Sequence, residues 1–299
     1  MLPKIQTRLR DMAIVDLVLR NCRLVKPLGF EEAGLAIDDG EIVSIAKDPL
    51  LPGADKVFDA RGNIVVPGGI DAHVHFMDPG YTYREDWGTG SASAVAGGVT
   101  LVIDHGLTNP PSTTVENLRK IKAEAGRKSV VDYGLNGAVV PSNLDELPEL
   151  WDAGVAAFGE IFMAESVPEL ESVDDGVLLE AFQIIRRIGG LAGVHAENSE
   201  IVSRLTSRLR GEGRNDPLAH VEARPSIAEA EAVSRALMLA KDAGVHCTSF
   251  TSRRRRERSW SETPRRRVNQ SAPRPAPTTS SSRRSPWRNT AHILSTTHP

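Results

Sequence analysis

Between residues 64 and 243, short apolar segments typical of strands alternate with longer segments typical of helices. This alternation predicts βαβ units, in which helices cover a set of parallel strands. The predicted strands are 64–66, 100–103, 130–140, 156–163 and 191–195, and the predicted helices are 85–97, 114–125, 144–153, 175–188 and 226–243. Repeated units of this length favour an α/β fold of the TIM type, a (β/α)8 barrel, whose functional side chains lie at the C-terminal ends of the strands.

Two histidines follow the first predicted strand and are separated by one residue. The stretch reads Pro67-Gly68-Gly69-Ile70-Asp71-Ala72-His73-Val74-His75-Phe76. Residues two apart in a strand point to the same side, so the rings of His73 and His75 can share one metal ion. Imidazole also packs and forms hydrogen bonds without a metal, so the pair by itself leaves both interpretations open.

Further segments, in order along the chain, extend this pattern. They include Thr108-Asn109-Pro110-Pro111 after the second strand, Val194-His195-Ala196-Glu197-Asn198 at the fifth strand and Asp216-Pro217 before the last helix. Over residues 14–245 the chain thereby resembles the amidohydrolase superfamily, and within it the cyclic-amide hydrolases: dihydroorotases, allantoinases and hydantoinases. The resemblance implies a homo-oligomeric, metal-dependent enzyme that hydrolyses a small cyclic amide or ureide.

The resemblance also implies two divalent metal ions, with zinc expected, which hold a hydroxide and polarise the scissile carbonyl. His73 and His75 would hold one ion, and His195 the other. At the fourth strand the family usually carries a lysine whose carboxylated side chain bridges the ions, and here the matching residue is Glu160. A glutamate can bridge two cations through its two oxygens. The alternative is a strand-end carboxylate that binds nothing.

Two further positions bear on the substrate. Dihydroorotases usually carry an arginine directly after His-x-His-x, where it holds the substrate carboxylate, whereas this chain has Met77. A thioether cannot bind a carboxylate as a guanidinium does, which counts against a dihydroorotase and favours an allantoinase-like or hydantoinase-like ring. Asn109 is a second candidate substrate contact, although an Asn before two prolines is also ordinary turn chemistry.

The chain divides into four predicted regions. They are a disordered leader at 1–11, a small β-sandwich at 12–66, a partial amidohydrolase barrel at 67–245 and a basic disordered tail at 246–299. The sandwich is predicted from short strands and a hairpin turn at Asp38-Asp39-Gly40. The disorder is predicted from the Ser, Thr, Pro and Arg content of the tail. Residues 251–299 carry a net charge of +10, which leaves −13 for residues 1–250.

In the family, the sixth strand carries the last metal histidine and the eighth strand bears the catalytic aspartate. The tail shows neither segment, but its codons read in a shifted frame permit family-like sequence, including His-Val-Ser-Ser from residues 250–254. We therefore hypothesise a frameshift near Val245 or His246. As written, the chain is expected to keep five barrel strands and no catalytic general base. The alternative function is therefore an inactive remnant or pseudoenzyme.

The remaining properties limit the partners and the compartment. Arginine runs at 253–256 and 265–267 could attract nucleic-acid phosphates, but only Trp260 and Trp287 accompany them for base stacking, so no nucleic-acid partner is expected. No apolar run approaches the roughly 20 residues of a membrane span, so no membrane partner is expected. Two cysteines, Cys22 and Cys247, cannot build a disulfide framework, which favours a cytoplasmic protein.

Overall fold

The computed structural model describes residues 14–168 and 170–250. The chain divides into two units, with the boundary between Gly68 and Gly69. The predicted leader, and the predicted tail from residue 251 onward, lie outside the described residues. The hypothesis of a frameshift therefore stays a prediction. Within the described residues, no helix is both long and apolar enough to cross a membrane.

The first unit consists of short strands arranged in two sheets. The strands are β1 Ile14–Arg20, β2 Arg23–Lys26, β3 Gly29–Glu32, β4 Gly34–Asp38, β5 Glu41–Ala46, β6 Gly53–Asp59 and β7 Ile64–Val65, with a short 3-10 turn at Asp48–Leu50. One sheet has the order β5-β4-β1-β6, and the other has the order β3-β2-β7. Asp39 and Gly40 join β4 to β5 with φ angles of 49° and 76°. Two positive φ angles are typical of a type I′ hairpin turn, which agrees with the turn predicted there.

The second unit alternates strands and helices along the chain. Its strands are β8 Gly69–Val74, β9 Val99–Asp104, β10 Asp132–Leu135, β11 Phe158–Phe162, β12 Leu191–His195 and β13 His246–Phe250. Its helices are α1 Trp87–Ala96, α2 Val115–Lys128, α3 Leu147–Asp152, α4 Asp175–Ile188, α5 Ser199–Gly211, α6 Pro217–Glu222 and α7 Ser226–Ala243, with a 3-10 turn at Leu144–Glu146. This alternation confirms the predicted α/β class.

The strands of the second unit are parallel and lie side by side in chain order. Hydrogen bonds join β8, β9 and β10 into one sheet and β11, β12 and β13 into another. A parallel bridge between Gly137 and Phe158 links the two sheets. Parallel neighbours connected through helices form the wall of a (β/α) barrel, so the C-terminal ends of the strands lie along one edge.

The main apolar core of the second unit lies between its strands and its helices. Almost fully buried members of this core are Phe158, Ile161, Leu178, Phe182 and Ile185. Helix α4 contributes three of them because apolar residues recur along it every three or four positions. Its ends follow the capping rules: the Asp174 side chain accepts a hydrogen bond from the backbone of Val177, and Gly189 adopts φ 73°.

The barrel sheet continues beyond residue 245, where the sequence predicted its end. Residues His246–Phe250 form β13, which pairs with β12 along its whole length. The described chain therefore keeps six barrel strands rather than five. The reason is local, because Gly244 ends α7 with φ 69° and the following Val245 and Thr248 are β-branched and favour extended backbone.

Candidate metal centre

Four side chains singled out from the sequence lie at the C-terminal ends of the parallel strands. His73 is the next-to-last residue of β8, and His75 directly follows that strand. Glu160 lies in β11, and His195 is the last residue of β12. The rings of His73 and His75 converge, with their Nε2 atoms 3.1 Å apart. Three strands, β8, β11 and β12, thus bring nitrogen and oxygen donors to the same place.

The carboxylate of Glu160 lies among the three histidine rings. Its Oε1 is 3.3 Å from Nδ1 of His195 and 3.6 Å from Nε2 of His73. Its Oε2 is 3.5 Å from Nε2 of His75. Glu160 is only 4% exposed, and a carboxylate buried to this degree requires partners of this kind. The structure therefore brings all four of these side chains together.

Two of the three strands that carry these residues, β8 and β11, have an irregular register at the site. The pairing of β8 with β9 shifts between Asp71 and Val74, and the pairing of β11 with β12 shifts between Phe158 and Ile161. Such irregularities change the direction of side chains relative to simple strand alternation, and they are common beside functional sites. The direction of the Glu160 side chain could therefore not be predicted from the apolar pattern of its strand.

The donor set fits a divalent cation. Two ligands bound to Zn²⁺ at about 2.0–2.1 Å in tetrahedral geometry lie about 3.3–3.4 Å from each other. The distances of 3.1, 3.3, 3.5 and 3.6 Å within the centre lie close to that separation. Imidazole nitrogens and carboxylate oxygens are also the donors that zinc accepts in proteins. The described residues thus offer a suitable site for a metal ion.

Burial and charge act differently on the histidines. Burial lowers the pKa of His75 to about 4, so its ring is neutral near neutral pH and free to bind a cation. Burial acts in the same direction at His195, but hydrogen bonds and charges of Glu160 and Glu197 outweigh it and raise the pKa of His195 to about 9. Burial opposes ionisation of Glu160, yet hydrogen bonds from His195 and His73 hold the pKa of this carboxyl well below its usual range. Glu160 is therefore an ionised carboxylate.

Glu197 supports His195 on the side away from Glu160. Its Oε2 is 3.6 Å from Nε2 of His195, and its Oε1 is 3.4 Å from Nε of Arg224. Nδ1 of His195 faces Glu160 while Nε2 faces Glu197. A carboxylate behind a histidine ligand fixes the orientation of the ring, and Arg224 in turn holds that carboxylate.

His105 is the residue of this region that the sequence analysis missed. It follows β9, it is 1% exposed, and its ring stacks on that of His73. One ligand atom from each of His73, His105 and Glu160 lies within 4.8 Å of the others. A single histidine has no spacing signal like that of the His-x-His pair. Its position at the C-terminal end of a predicted strand was the only sign available.

Asp104 joins the two loops that follow β8 and β9. Its Oδ2 accepts a hydrogen bond from the backbone N–H of Phe76, and its Oδ1 accepts one from that of Gly106, both at 2.7 Å. The side chain is 1% exposed, and burial raises the pKa of Asp104 to about 6. The residue after His75 and the residue after His105 are therefore held by one carboxyl group.

Asp78 anchors the next part of the loop after β8. Its Oδ2 accepts a hydrogen bond from Nζ of Lys128 at 2.6 Å and a longer one from the backbone N–H of Trp87 at 3.3 Å. The indole Nε1 of Trp87 donates to the backbone carbonyl of Asp78 at 3.0 Å. These contacts tie the loop to helices α1 and α2.

The two predicted substrate contacts differ in their surroundings. Met77 lies two residues after His75 with φ 60°, and its carbonyl accepts a hydrogen bond from the backbone of Tyr81. Asn109 is exposed, and its backbone N–H donates to the carbonyl of Pro79. In the part of the chain that the structure describes, no hydrogen bond joins the Asn109 side chain to the histidines. Contact of either residue with a substrate stays a prediction.

The second unit is part of a parallel (β/α) barrel, and it has histidines and a buried carboxylate at the C-terminal ends of its strands. This combination is typical of (β/α) barrels that bind metal ions. Residues 64–270 match the sequence profile of the amidohydrolase family. The chain belongs to the amidohydrolase family.

Three similar proteins have different enzyme names. The dihydroorotase of Methanosarcina mazei is 41% identical over 230 residues, which are 77% of this chain and 50% of the relative. The allantoinase of Solibacter usitatus is 40% identical over 242 residues, 80% of this chain and 52% of the relative. The L-hydantoinase of Paenarthrobacter aurescens is 38% identical over 231 residues, 77% of this chain and 50% of the relative. The chain spans about half the length of the curated relatives it matches.

Solved structures of hydantoinases are similar to this chain in both fold and sequence. The L-hydantoinase (dihydropyrimidinase) from Arthrobacter aurescens has a TM-score of 0.74 and 38% identity, covering 79% of this chain and 52% of that one. A D-hydantoinase has a TM-score of 0.75 and 31% identity, covering 83% of this chain and 54% of that one. The resemblance to cyclic-amide hydrolases and the barrel type of fold, both predicted from the motifs, are confirmed.

Proposed function

We propose that this chain binds divalent metal ions at the centre described above and that the protein hydrolyses an amide bond of a cyclic amide or ureide ring. The observation that supports the proposal is the position of the Glu160 carboxylate, which lies 3.3–3.6 Å from nitrogens of His73, His75 and His195. The names of the relatives, dihydroorotase, allantoinase and L-hydantoinase, support the same class of substrate.

We expect two cations at this centre, with Zn²⁺ as the expected metal. His73 and His75 would hold one ion and His195 the other, and the two oxygens of Glu160 would serve both. A metal bound there supplies polarisation of the scissile carbonyl and lowers the pKa of a water nucleophile. Burial keeps His75 neutral for this role, whereas His195 must give up a proton before it can bind.

Met77 favours a ring without a carboxylate. Its thioether stands two residues after His75 and offers no charge to an anionic substituent. Hydantoins and allantoin are therefore better candidate substrates than dihydroorotate. Asn109, with its amide exposed in the loop after β9, is the second proposed contact with the ring.

A second candidate is a metal-binding protein without hydrolytic activity. The observation that favours it is the sequence of residues 251–299, which shows no segment like the one that carries the last metal histidine in the family. The two candidates share the same metal centre and differ only in catalysis, so metal content and ring opening must be measured on the same preparation.

The test compares Glu160→Gln with Glu165→Gln in the full chain. Glu165 is exposed and follows the same strand, so it controls for the loss of one carboxylate. We expect the wild type and Glu165→Gln to bind Zn²⁺ and to open the ring of hydantoin or allantoin. Glu160→Gln should bind zinc at least about tenfold more weakly.

The outcomes separate the two candidates. Metal binding that depends on Glu160, together with intact hydantoin, allantoin and dihydroorotate, would refute hydrolysis and support the non-catalytic protein. Equal zinc affinity in Glu160→Gln and Glu165→Gln would refute the metal centre itself.

A further inference from the structure

We infer that His105 positions His73 for metal binding by stacking on its ring, without binding the cation itself. This inference rests on the metal centre of the proposed function. It concerns a side chain outside the motifs that define the centre, and it assigns that side chain a role in setting metal affinity.

The contact between the two rings is a parallel stack. Their centroids are 4.0 Å apart and their planes differ by 5°. Protein interiors are packed closely, and a flat side chain in van der Waals contact with one face of a ring prevents that ring from tilting toward it. His105 thus fixes the plane of His73, and with it the direction in which Nε2 of His73 points.

His105 is itself held in place. It is 1% exposed, and its Nε2 lies 3.0 Å from the backbone carbonyl of Ala72 and 3.2 Å from Nδ2 of Asn136. Ala72 is the residue directly before His73, and Asn136 follows β10. The stacking ring is therefore connected to the backbone of the strand that it supports and to a strand farther along the sheet.

The same geometry argues against His105 as a ligand of the ion that His73 binds. A metal bound to imidazole lies near the plane of the ring, at about 2.0–2.1 Å from the nitrogen for zinc. Stacked rings in contact keep their planes about 3.5–4.0 Å apart, so an ion in the plane of His73 is too far from that of His105. The closeness of the three potential ligand atoms of His73, His105 and Glu160 therefore does not make them one coordination site.

Two substitutions separate stacking from hydrogen bonding. His105→Phe keeps a flat ring but loses the bond to the Ala72 carbonyl, and His105→Gln keeps an amide that can reach that carbonyl but has no ring. His105→Tyr repeats the ring test, so that the comparison does not depend on one variant being folded. Co²⁺ serves as the probe, because its visible absorption reports the geometry of its ligands as well as its affinity.

We expect His105→Phe to bind Co²⁺ within about threefold of the wild-type affinity and with the wild-type spectrum. His105→Gln should bind about 10–100-fold more weakly, with an altered spectrum, as is usual when the support of a metal ligand is removed. Equal weakening in the Phe, Tyr and Gln variants would overturn the inference and indicate ligation, and unchanged binding in all of them would overturn it as well. A wild-type chain that binds no Co²⁺ would instead refute the metal centre of the proposed function.

Discussion

Replacing Lys128 by Met would leave the buried carboxylate of Asp78 without its cation. Nζ of Lys128 lies 2.6 Å from Oδ2 of Asp78, which is 2% exposed, and the N–H of Trp87 reaches the same oxygen only at 3.3 Å. Breaking a fully buried ion pair costs about 3–5 kcal/mol. Because the Lys128 side chain is 22% exposed, water screens part of this interaction, and we expect the free energy of unfolding to fall by about 2–3 kcal/mol.

Urea unfolding followed by tryptophan fluorescence measures the loss, since Trp87 is fully buried against Asp78. Lys120→Met is the matched control: it lies in the same helix, but its pair with Glu116 is exposed, so the transition should not move. Adding Asp78→Asn to Lys128→Met removes the stranded charge, and the double variant should be more stable than Lys128→Met alone. Equal effects at Lys128 and Lys120, or strictly additive losses in the double variant, would refute the reasoning.

Two further predictions concern packing and proton release. A Cβ added to Gly90 would lie 2.5 Å from ring carbons of Phe76, whereas one added to Gly211 would meet open space. Gly90→Ala should therefore lower the free energy of unfolding by about 1–3 kcal/mol, and Gly211→Ala should not lower it; equal urea midpoints would contradict this packing. Because Glu160 and Glu197 raise the pKa of His195 to about 9, zinc binding there should release about one proton near neutral pH, and affinity should rise about tenfold per pH unit up to that pKa. Calorimetry in buffers of different ionisation enthalpy measures this release, and a buffer-independent binding enthalpy would show the prediction to be wrong.

Local signals predicted much of the fold. The helix predicted at 175–188 agrees with α4 residue for residue, because an Asp precedes it, a Gly follows it and apolar residues recur along it. The strand 191–195 and the helix 226–243 also agree with the observed bounds. The strand predicted at 130–140 is too long, since only Asp132–Leu135 pairs as a strand. Apolar composition alone does not show where pairing with a neighbour ends.

Contacts in the candidate centre between residues far apart in the sequence were harder to predict. The His-x-His spacing indicated that His73 and His75 share one side of a strand, because that relation depends on two residues alone. The stack of His105 on His73 depends instead on the pairing of β8 with β9, and the direction of the Glu160 side chain depends on the register shift between β11 and β12. Helix α5, Ser199–Gly211, was also missed, although Asn198 caps its start by accepting a hydrogen bond from Ile201.

The hydrogen bonds of Asp104 determine which loops of this protein can be exchanged independently. Its two oxygens hold the backbone of Phe76 and of Gly106, which lie in different loops. Exchanging the loop after β8 for that of a relative preserves this link only if the new loop places a backbone N–H where that of Phe76 lies, because Asp104 accepts its hydrogen bond from the backbone. The two loops therefore constitute a single module for grafting, and transplants that carry both together with the aspartate have the better prospect of preserving the histidines between them.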